Sequence, residues 1–185
     1  ASDGTGSMAE NLKRTFAAMG VLDTLLAPIR TGLGYNTQIS TGVAQDICDT
    51  HPVAQMAQFE SDERIAEQIR LLIPDGNGGD ETEDYQFLMG YAALGTDLDI
   101  RNFYGLKGYF FMMADQICRE SVSPVDFEHH TGLAFPGGQK MTTKAICSEL
   151  LNPFHTFYLQ VGSAGLGGRR NEITTWWEKR LGNNR

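Results

Sequence analysis

The amino-acid sequence predicts a helix-rich α+β fold, in which a long N-terminal amphipathic helix packs on further helices and on a small antiparallel sheet. Leu, Ala and Met are plentiful while Val is scarce, which favours helix over strand. Residues 9–33 carry apolar side chains at helical spacing, and residues 155–161 are the best strand candidate. Because the strand signals are few, an all-α fold is the alternative.

The length of 185 residues and the apolar share of 41% are those of one globular domain with a sizeable core. We interpret residues 1–8 as an expression linker, residues 9–165 as a single globular domain and residues 166–185 as a basic C-terminal tail. No apolar run approaches the roughly 20 residues of a membrane-spanning helix, so we expect a soluble domain. Membrane contact would need a segment outside this sequence.

The net charge of −8 is unevenly distributed along the chain. Residues 166–185 carry a charge of +3, and the preceding residues therefore carry −11. An acidic body repels phosphate backbones. We expect a protein partner or self-assembly and no nucleic acid.

The apolar stripe of the first predicted helix repeats every seven residues. Its members are Leu12, Phe16, Met19, Leu22, Leu26, Ile29 and Leu33. Pro28 is expected to bend this helix near its end, and Gly32 and Gly34 are expected to stop it. The stripe predicts one buried face along the whole helix.

A second long helix is predicted over residues 52–73, and Pro74 is expected to end it. Residues 74–84 read as an acidic loop with four glycine or asparagine positions near its start. Residues 85–94 are compatible with a helix or with a strand.

The most apolar run of the chain covers residues 109–118 and is expected to lie in the core. Periodicity leaves open whether this run is a helix or a buried strand. Thr142 or Thr143 is expected to cap a helix that ends near Leu151, ahead of the strand candidate.

The acidic loop lacks the spacing of an EF-hand calcium site. Counted from Asp75, the fifth, sixth and twelfth positions hold Gly79, Asp80 and Gln86, where the motif needs an oxygen ligand, a glycine and a glutamate. A solvated charged loop is the favoured interpretation. The alternative is an improvised cation site made by the remaining carboxylates, Asp80, Glu81, Glu83 and Asp84.

The cysteines and histidines also lack the spacing of a metal site. Cys48, Cys118 and Cys147 form no C-x-x-C pair, and the adjacent His129 and His130 would point to opposite faces of a strand. We expect no metal and no cofactor. A Cys/His metal-dependent enzyme, whose site would combine His129 and His130 with Cys48, His51, Cys147 and His155, is the least favoured of the functions that we consider.

Nucleophilic catalysis finds little support in the sequence. Cys118 lies in the apolar run, where a thiolate is disfavoured, and neither it nor Cys147 sits in a catalytic signature. The glycines of residues 162–168 lack the spacing of a phosphate-binding loop. We assign no catalytic residue and favour a non-enzymatic structural or interaction subunit.

The basic tail is the sharpest change of composition in the chain. Its cations and tryptophans are candidate partner-binding residues: Arg169, Arg170, Trp176, Trp177 and Arg180. The four-residue spacing of Ile173, Trp177 and Leu181 predicts instead a last helix that folds back on the body. The docked helix is the favoured interpretation, and a free docking peptide is the alternative.

The order of several segments resembles the globular head of type IVb pilins, whose anchor helix is removed for structural work. Residues 11–35 end in Ile-Arg-Thr-Gly-Leu-Gly-Tyr, like the second half of the pilin helix and its loop. A Gly108-Tyr-Phe-Phe strand, its neighbour at residues 126–135, a Cys147-bearing helix and the strand at residues 155–161 follow. The likeness covers about half of the chain and rests on order and spacing.

The chain departs from the pilin pattern in the missing anchor, in the acidic helical stretch 53–84 and in a head poor in Val and Thr. The resemblance implies an extracytoplasmic subunit of a bacterial surface or secretion assembly. It also implies that Cys118 and Cys147 are disulfide partners. Without it, the sequence favours a cytoplasmic helical adaptor with a basic, Trp-containing docking tail.

Overall fold

The backbone builds a five-stranded sheet in the order β3-β2-β1-β5-β9. The computed structural model describes residues 1–33, 37–49, 52–74, 82–136, 141–161 and 169–182. The strands are β1 (Ser2–Asp3), β2 (Gly42–Ala44), β3 (Ala54–Met56), β4 (Thr82–Glu83), β5 (Gly108–Ala114), β6 (Ile117–Cys118), β7 (Ser121–Val122), β8 (Met141–Thr142) and β9 (Phe154–Gln160). The helices are α1 (Ala9–Leu33), α2 (Arg64–Arg70), α3 (Tyr85–Gly95), α4 (Asp99–Tyr104), α5 (Pro124–Thr131), α6 (Thr143–Leu150) and α7 (Arg170–Leu181), and a 3-10 turn spans Gly6–Met8.

Most of this sheet is parallel. β1 runs parallel to both β2 and β5, and β5 runs parallel to β9 over seven residue pairs, while only β3 is antiparallel to its neighbour. Two small pairs flank it, the parallel pair β4–β6 and the antiparallel pair β7–β8. Strands that alternate with helices in this way make a doubly wound α/β fold.

The predicted fold class is therefore wrong, in both the α+β form with a small antiparallel sheet and the all-α form. The physical reason is that β1 and β2 contain two and three residues, mostly small or polar, which show no hydrophobic periodicity. The direction in which β5 and β9 pair follows from the crossover between them, and no property of either segment alone reveals it.

The two faces of the sheet carry different helices. Phe110, Met112 and Ala114 of β5 point to the main core, which α3, α6 and α7 complete. On the opposite face, Leu12 of α1 packs with Val43 of β2 in a smaller cluster beside α2. Alternation along each strand sends neighbouring side chains to the two layers.

The expected helix over residues 9–33 is present as α1, but it is not the first element of the fold and the main core is not built on it. β1 precedes α1 and lies in the middle of the sheet, and the main core is built on the other face. Leu12 is the fully buried member of the predicted stripe among the side chains that the structure describes in α1, and Val21 and Leu25 are exposed. Within the described residues, no helix has both the length and the apolarity needed to cross a bilayer.

Three further segments differ from the sequence interpretation. Residues 1–8, interpreted as a linker, contain β1 with Ser2 and Asp3 fully buried. Residues 52–73, predicted as one helix, divide into β3 and α2. The segment 126–135, expected as a strand beside β5, begins within α5.

The last helix agrees with the docked interpretation of the tail. Ile173, Trp177 and Leu181 of α7 are buried in the main core. The Trp177 ring stacks on Tyr158 at 4.4 Å between centroids, and its Nε1 donates to the carbonyl oxygen of Gln116 at 3.1 Å. The spacing of four thus marks a helix face that covers β9.

Replacing Trp177 with Ala should destabilise the fold by about 3–5 kcal/mol, the range found when large aromatic side chains are removed from protein cores. The measurement is the urea unfolding midpoint at constant slope. Thr175→Ala is the matched control on the exposed side of α7 and should change the midpoint little. An unchanged midpoint for Trp177→Ala would contradict the packing of α7.

Candidate functional site at the carboxyl edge of the sheet

Two carboxylates lie at the carboxyl ends of neighbouring parallel strands. Asp3 is the last residue of β1, and Asp115 directly follows the last residue of β5. The pairing of Ser2 with Met113 brings these strand ends side by side. The chain leaves β1 towards β2 and leaves β5 towards β9, so the strand order reverses here. Such a reversal opens the crevice in which doubly wound sheets bind ligands.

One backbone N–H and two hydroxyls fix the Asp3 carboxylate in place. Its Oδ1 accepts from the backbone N–H of Thr5 at 2.8 Å and from the Thr5 hydroxyl at 2.6 Å, and its Oδ2 accepts from the Tyr85 hydroxyl at 2.5 Å. The turn needs glycine at position 4, because a Cβ atom there would lie only 2.4 Å from Cγ1 of Val43 and would clash with it. The first turn after β1 therefore presents oxygen atoms at a fixed position.

Buried oxygen atoms without partners lie beside this turn. Asp115 is 1% exposed, and within the described part of the chain neither of its carboxylate oxygens has a hydrogen-bond partner. The same holds for Oε2 of Glu83, which β4 places next to β6. Buried polar atoms are nearly always satisfied in native proteins, so these oxygens mark a place where water or an ion would complete the hydrogen bonding.

The electrostatics of the cluster point the same way. Burial and the nearby Asp3, Asp46 and Asp115 raise the pKa of Glu83 to about 9. Burial raises the pKa of Asp3 to about 6, although its hydrogen bonds with Thr5 and Tyr85 oppose the shift. Both shifts describe a place where negative charge is in excess and solvent is excluded.

One cation partly compensates this charge. The guanidinium of Arg119 lies 3.1 Å from an oxygen of Asp46 and 3.1 Å from an oxygen of Asp84. Asp84 also accepts from the backbone N–H of Ile47 at 3.0 Å, yet burial still raises its pKa to about 6. Among the described residues, no Lys or Arg forms an ion pair with Asp3, Glu83 or Asp115.

The geometry limits the kind of cation that fits. Over the ranges that the structure describes, no three His, Cys, Asp or Glu side chains converge closely enough to hold a metal by themselves. Mg²⁺ uses one or two carboxylates and keeps several water ligands. Asp3, Asp115 and the Thr5 hydroxyl are a donor set of that kind, whereas a thiol- and imidazole-based site would need other residues.

The residues considered for a Cys/His metal site do not come together. His129 and His130 contact one another on α5, and the His130 ring lies against Phe87. Cys147 is buried in α6, Cys48 is exposed, and His51 lies outside the described residues. His155 contacts Tyr109 at the opposite end of the sheet.

Cys118 and Cys147 are free thiols in the structure, so the disulfide implied by the pilin resemblance is not formed there. Burial raises the pKa of Cys118 well above its ordinary value and that of Cys147 to about 12. Both thiols are thus held protonated, which disfavours them as nucleophiles.

The candidate partner-binding residues of the tail divide between core and surface. Trp177 is buried, and Trp176 donates from Nε1 to Glu120 at 3.2 Å. Arg180 forms a 2.6 Å ion pair with Glu120, and its guanidinium lies 3.6 Å from the centre of the Trp176 ring. Arg169 and Arg170 lie at the start of α7. The tail's aromatic and cationic groups thus serve largely to hold α7 against the body.

The acidic site was missed because its parts are far apart in sequence and its first part was interpreted as a linker. The alternation of oxygen-bearing side chains at Asp3, Thr5 and Ser7 was an available signal. Glu83 and Asp84 belonged to the carboxylates considered for an improvised cation site, whereas Asp80 and Glu81 lie outside the described residues.

Comparison with known proteins gives no relative, since no protein-family model matches the chain and no curated protein matches it.

The stability of the metal-free protein should fall as the pH rises from about 5 to 9. In the folded protein Glu83 keeps its proton up to a pKa of about 9, whereas in the unfolded chain it releases the proton above its ordinary pKa of 4.5. The free energy of unfolding therefore decreases as the pH rises between these two values. Glu83→Gln should flatten this dependence, as measured by urea unfolding in chelator. The exposed Glu178→Gln is the control, and an equal slope in Glu83→Gln would contradict the assignment.

Proposed function

We propose that this chain is a non-enzymatic interaction domain that binds a protein partner through a divalent cation held at the acidic edge of the sheet. One observation carries the proposal. Asp115 is fully buried at the reversal of strand order, and both of its carboxylate oxygens lack a partner among the described residues. A buried anion of this kind is stable when it coordinates a metal.

Magnesium is the cation that the donor set favours. Oxygen donors from one or two carboxylates and a hydroxyl, completed by water, match its preference for hard ligands. We assign Asp3, Asp115 and Thr5 as the protein's ligands. The hydrogen bond from Tyr85 to Asp3 would be retained or exchanged when the metal binds, and it orients the carboxylate in either case.

Binding is favoured over catalysis by where the histidines and cysteines lie. The described histidines contact aromatic rings and each other, and the two buried cysteines hold protonated thiols. Asp3, Thr5 and Asp115 are themselves buried, so an oxygen atom of a partner, such as a carboxylate, would replace a water ligand of the cation by entering the crevice at the reversal of strand order. Ile47, next to Asp46, is exposed at 36% and would contact a partner seated on the cation.

The expectation from the sequence that no metal binds is untested, and the buried oxygens lead us to propose the opposite. The resemblance to type IVb pilins also stays an untested prediction, and its broader content, a structural or interaction subunit, is compatible with this proposal.

Magnesium should stabilise the protein, and Asp115→Asn should abolish that effect. A ligand that binds only the folded state adds about 2.7 kcal/mol to the free energy of unfolding when its concentration is a hundred times its dissociation constant. The measurements are isothermal titration with Mg²⁺ and Mn²⁺ and the shift of the thermal midpoint. Asp115→Asn should also be at least as stable as the wild type without metal, because it removes a buried charge.

Asp126→Asn, which changes an exposed carboxylate of α5, is the matched control and should bind metal like the wild type. Water-proton relaxation of the Mn²⁺ complex should then reveal an exchangeable water ligand, the position for the partner's oxygen. Absence of binding at millimolar Mg²⁺ or Mn²⁺, or equal binding by Asp115→Asn, would refute the cation site.

A further inference from the structure

Beyond α1, the described part of the chain leaves one face of the sheet uncovered. Tyr109 and Phe111 of β5 and Phe157 and Leu159 of β9 share this face, because β5 and β9 pair Tyr109 with His155, Phe111 with Phe157 and Met113 with Leu159. Tyr109 is 65% exposed, Phe111 45% and Leu159 44%. The Phe111 and Phe157 rings stack at 5.3 Å between centroids. We name these four residues the bare face.

A bare face is unusual for strands of this type. Parallel strands are ordinarily covered by helices on both sides. The other side of β5 and β9 follows this rule, since Phe110, Met112 and Phe154 are buried in the main core. Within the ranges that the structure describes, no helix covers the aromatic layer on the bare face, although parallel strands ordinarily have one there.

Helix α1 borders this face with an apolar flank. The hydroxyl of Thr15 lies 3.9 Å from the sulfur of Met113, which places α1 beside β5. Leu22, two turns after Thr15, and Leu25, two turns after Ala18, lie on the same flank by helical spacing. Val21 is 55% exposed and Leu25 62% exposed. We name the flank formed by Ala18, Val21, Leu22 and Leu25 the ridge.

The ridge and the bare face lie side by side on the same protomer. A two-fold rotation can therefore bring the ridge of each protomer onto the bare face of the other. We propose that a second copy of this chain docks here, with the ridge of each protomer lying on the bare face of the other. Each copy then supplies the helix that the other copy's parallel strands lack. This is an isologous interface, in which the same patch serves both subunits.

Size and charge support a second copy as the occupant. Fully burying an aromatic side chain removes roughly 150–250 Å² from solvent, and Tyr109 and Phe111 are about half exposed, so the ridge and the bare face together reach the few hundred Å² of a functional apolar patch. With a polar rim they approach the roughly 800 Å² per partner of a stable interface. Neither the ridge nor the bare face contains a charged residue, so no like charges face one another between these two surfaces.

The test is sedimentation velocity over a range of concentrations. The wild type should dimerise, and Leu25→Lys and Phe111→Glu should each weaken the dimer at least tenfold. Mixing these two variants should restore a dimer. In the mixed dimer, the ridge that carries Leu25→Lys lies on the bare face that carries Phe111→Glu, and the other ridge and bare face are both wild type. Leu71→Lys changes an equally exposed leucine outside the patch and should dimerise normally.

Far-UV circular dichroism and the urea midpoint of each variant establish that it is folded. A wild type that stays monomeric at high micromolar concentration overturns the proposal and leaves the bare face to a helix of another protein. Folded single variants that dimerise normally, or a mixture that stays monomeric, overturn the reciprocal arrangement. Chelator should leave the dimer intact, so its formation and the cation site are tested separately.

Discussion

The pairing of the two-residue strand β1 with both β2 and β5 is the constraint on which the sheet depends. Ser2 lies opposite Val43 on one side and Met113 on the other, so β1 joins the halves of the doubly wound fold. The same pairing brings Asp3 next to the end of β5, where Asp115 follows. The architecture and the acidic site therefore have one cause.

Burial of several carboxylates at that position demands compensation. Arg119 partly compensates Asp46 and Asp84 through contacts of 3.1 Å. Asp3, Glu83 and Asp115 have no such ion pair among the described residues, and the raised pKa of Glu83 makes protonation one way in which the metal-free protein relieves the repulsion. The divalent cation that we propose would relieve the same repulsion without that proton.

Segments with strong local signals were predictable from the sequence. The expected cap and helix near residues 142–151 match α6, where the Thr142 hydroxyl accepts from Ala145 N–H, and the expected strand at residues 155–161 matches β9 within one residue. β1 was not predictable, because two polar residues carry no periodicity and long-range pairing holds them in place. The acidic site inherits this difficulty, since its carboxylates come from segments about 30 to 110 residues apart, a separation that local patterns do not encode.

The long separation between the partners of β1 has a consequence for the order of folding. Closing a loop of about 110 residues between Ser2 and Met113 costs roughly 4 kcal/mol by the logarithmic dependence of loop entropy. The pairing of β5 with β9 and the docking of α7 involve much shorter loops and should form first. The central strand is thus inserted late into a preformed half, and a chain stalled before that step has Asp115 but not Asp3 in place. A cation that needs both carboxylates would bind, and so stabilise, only those chains that have completed the sheet.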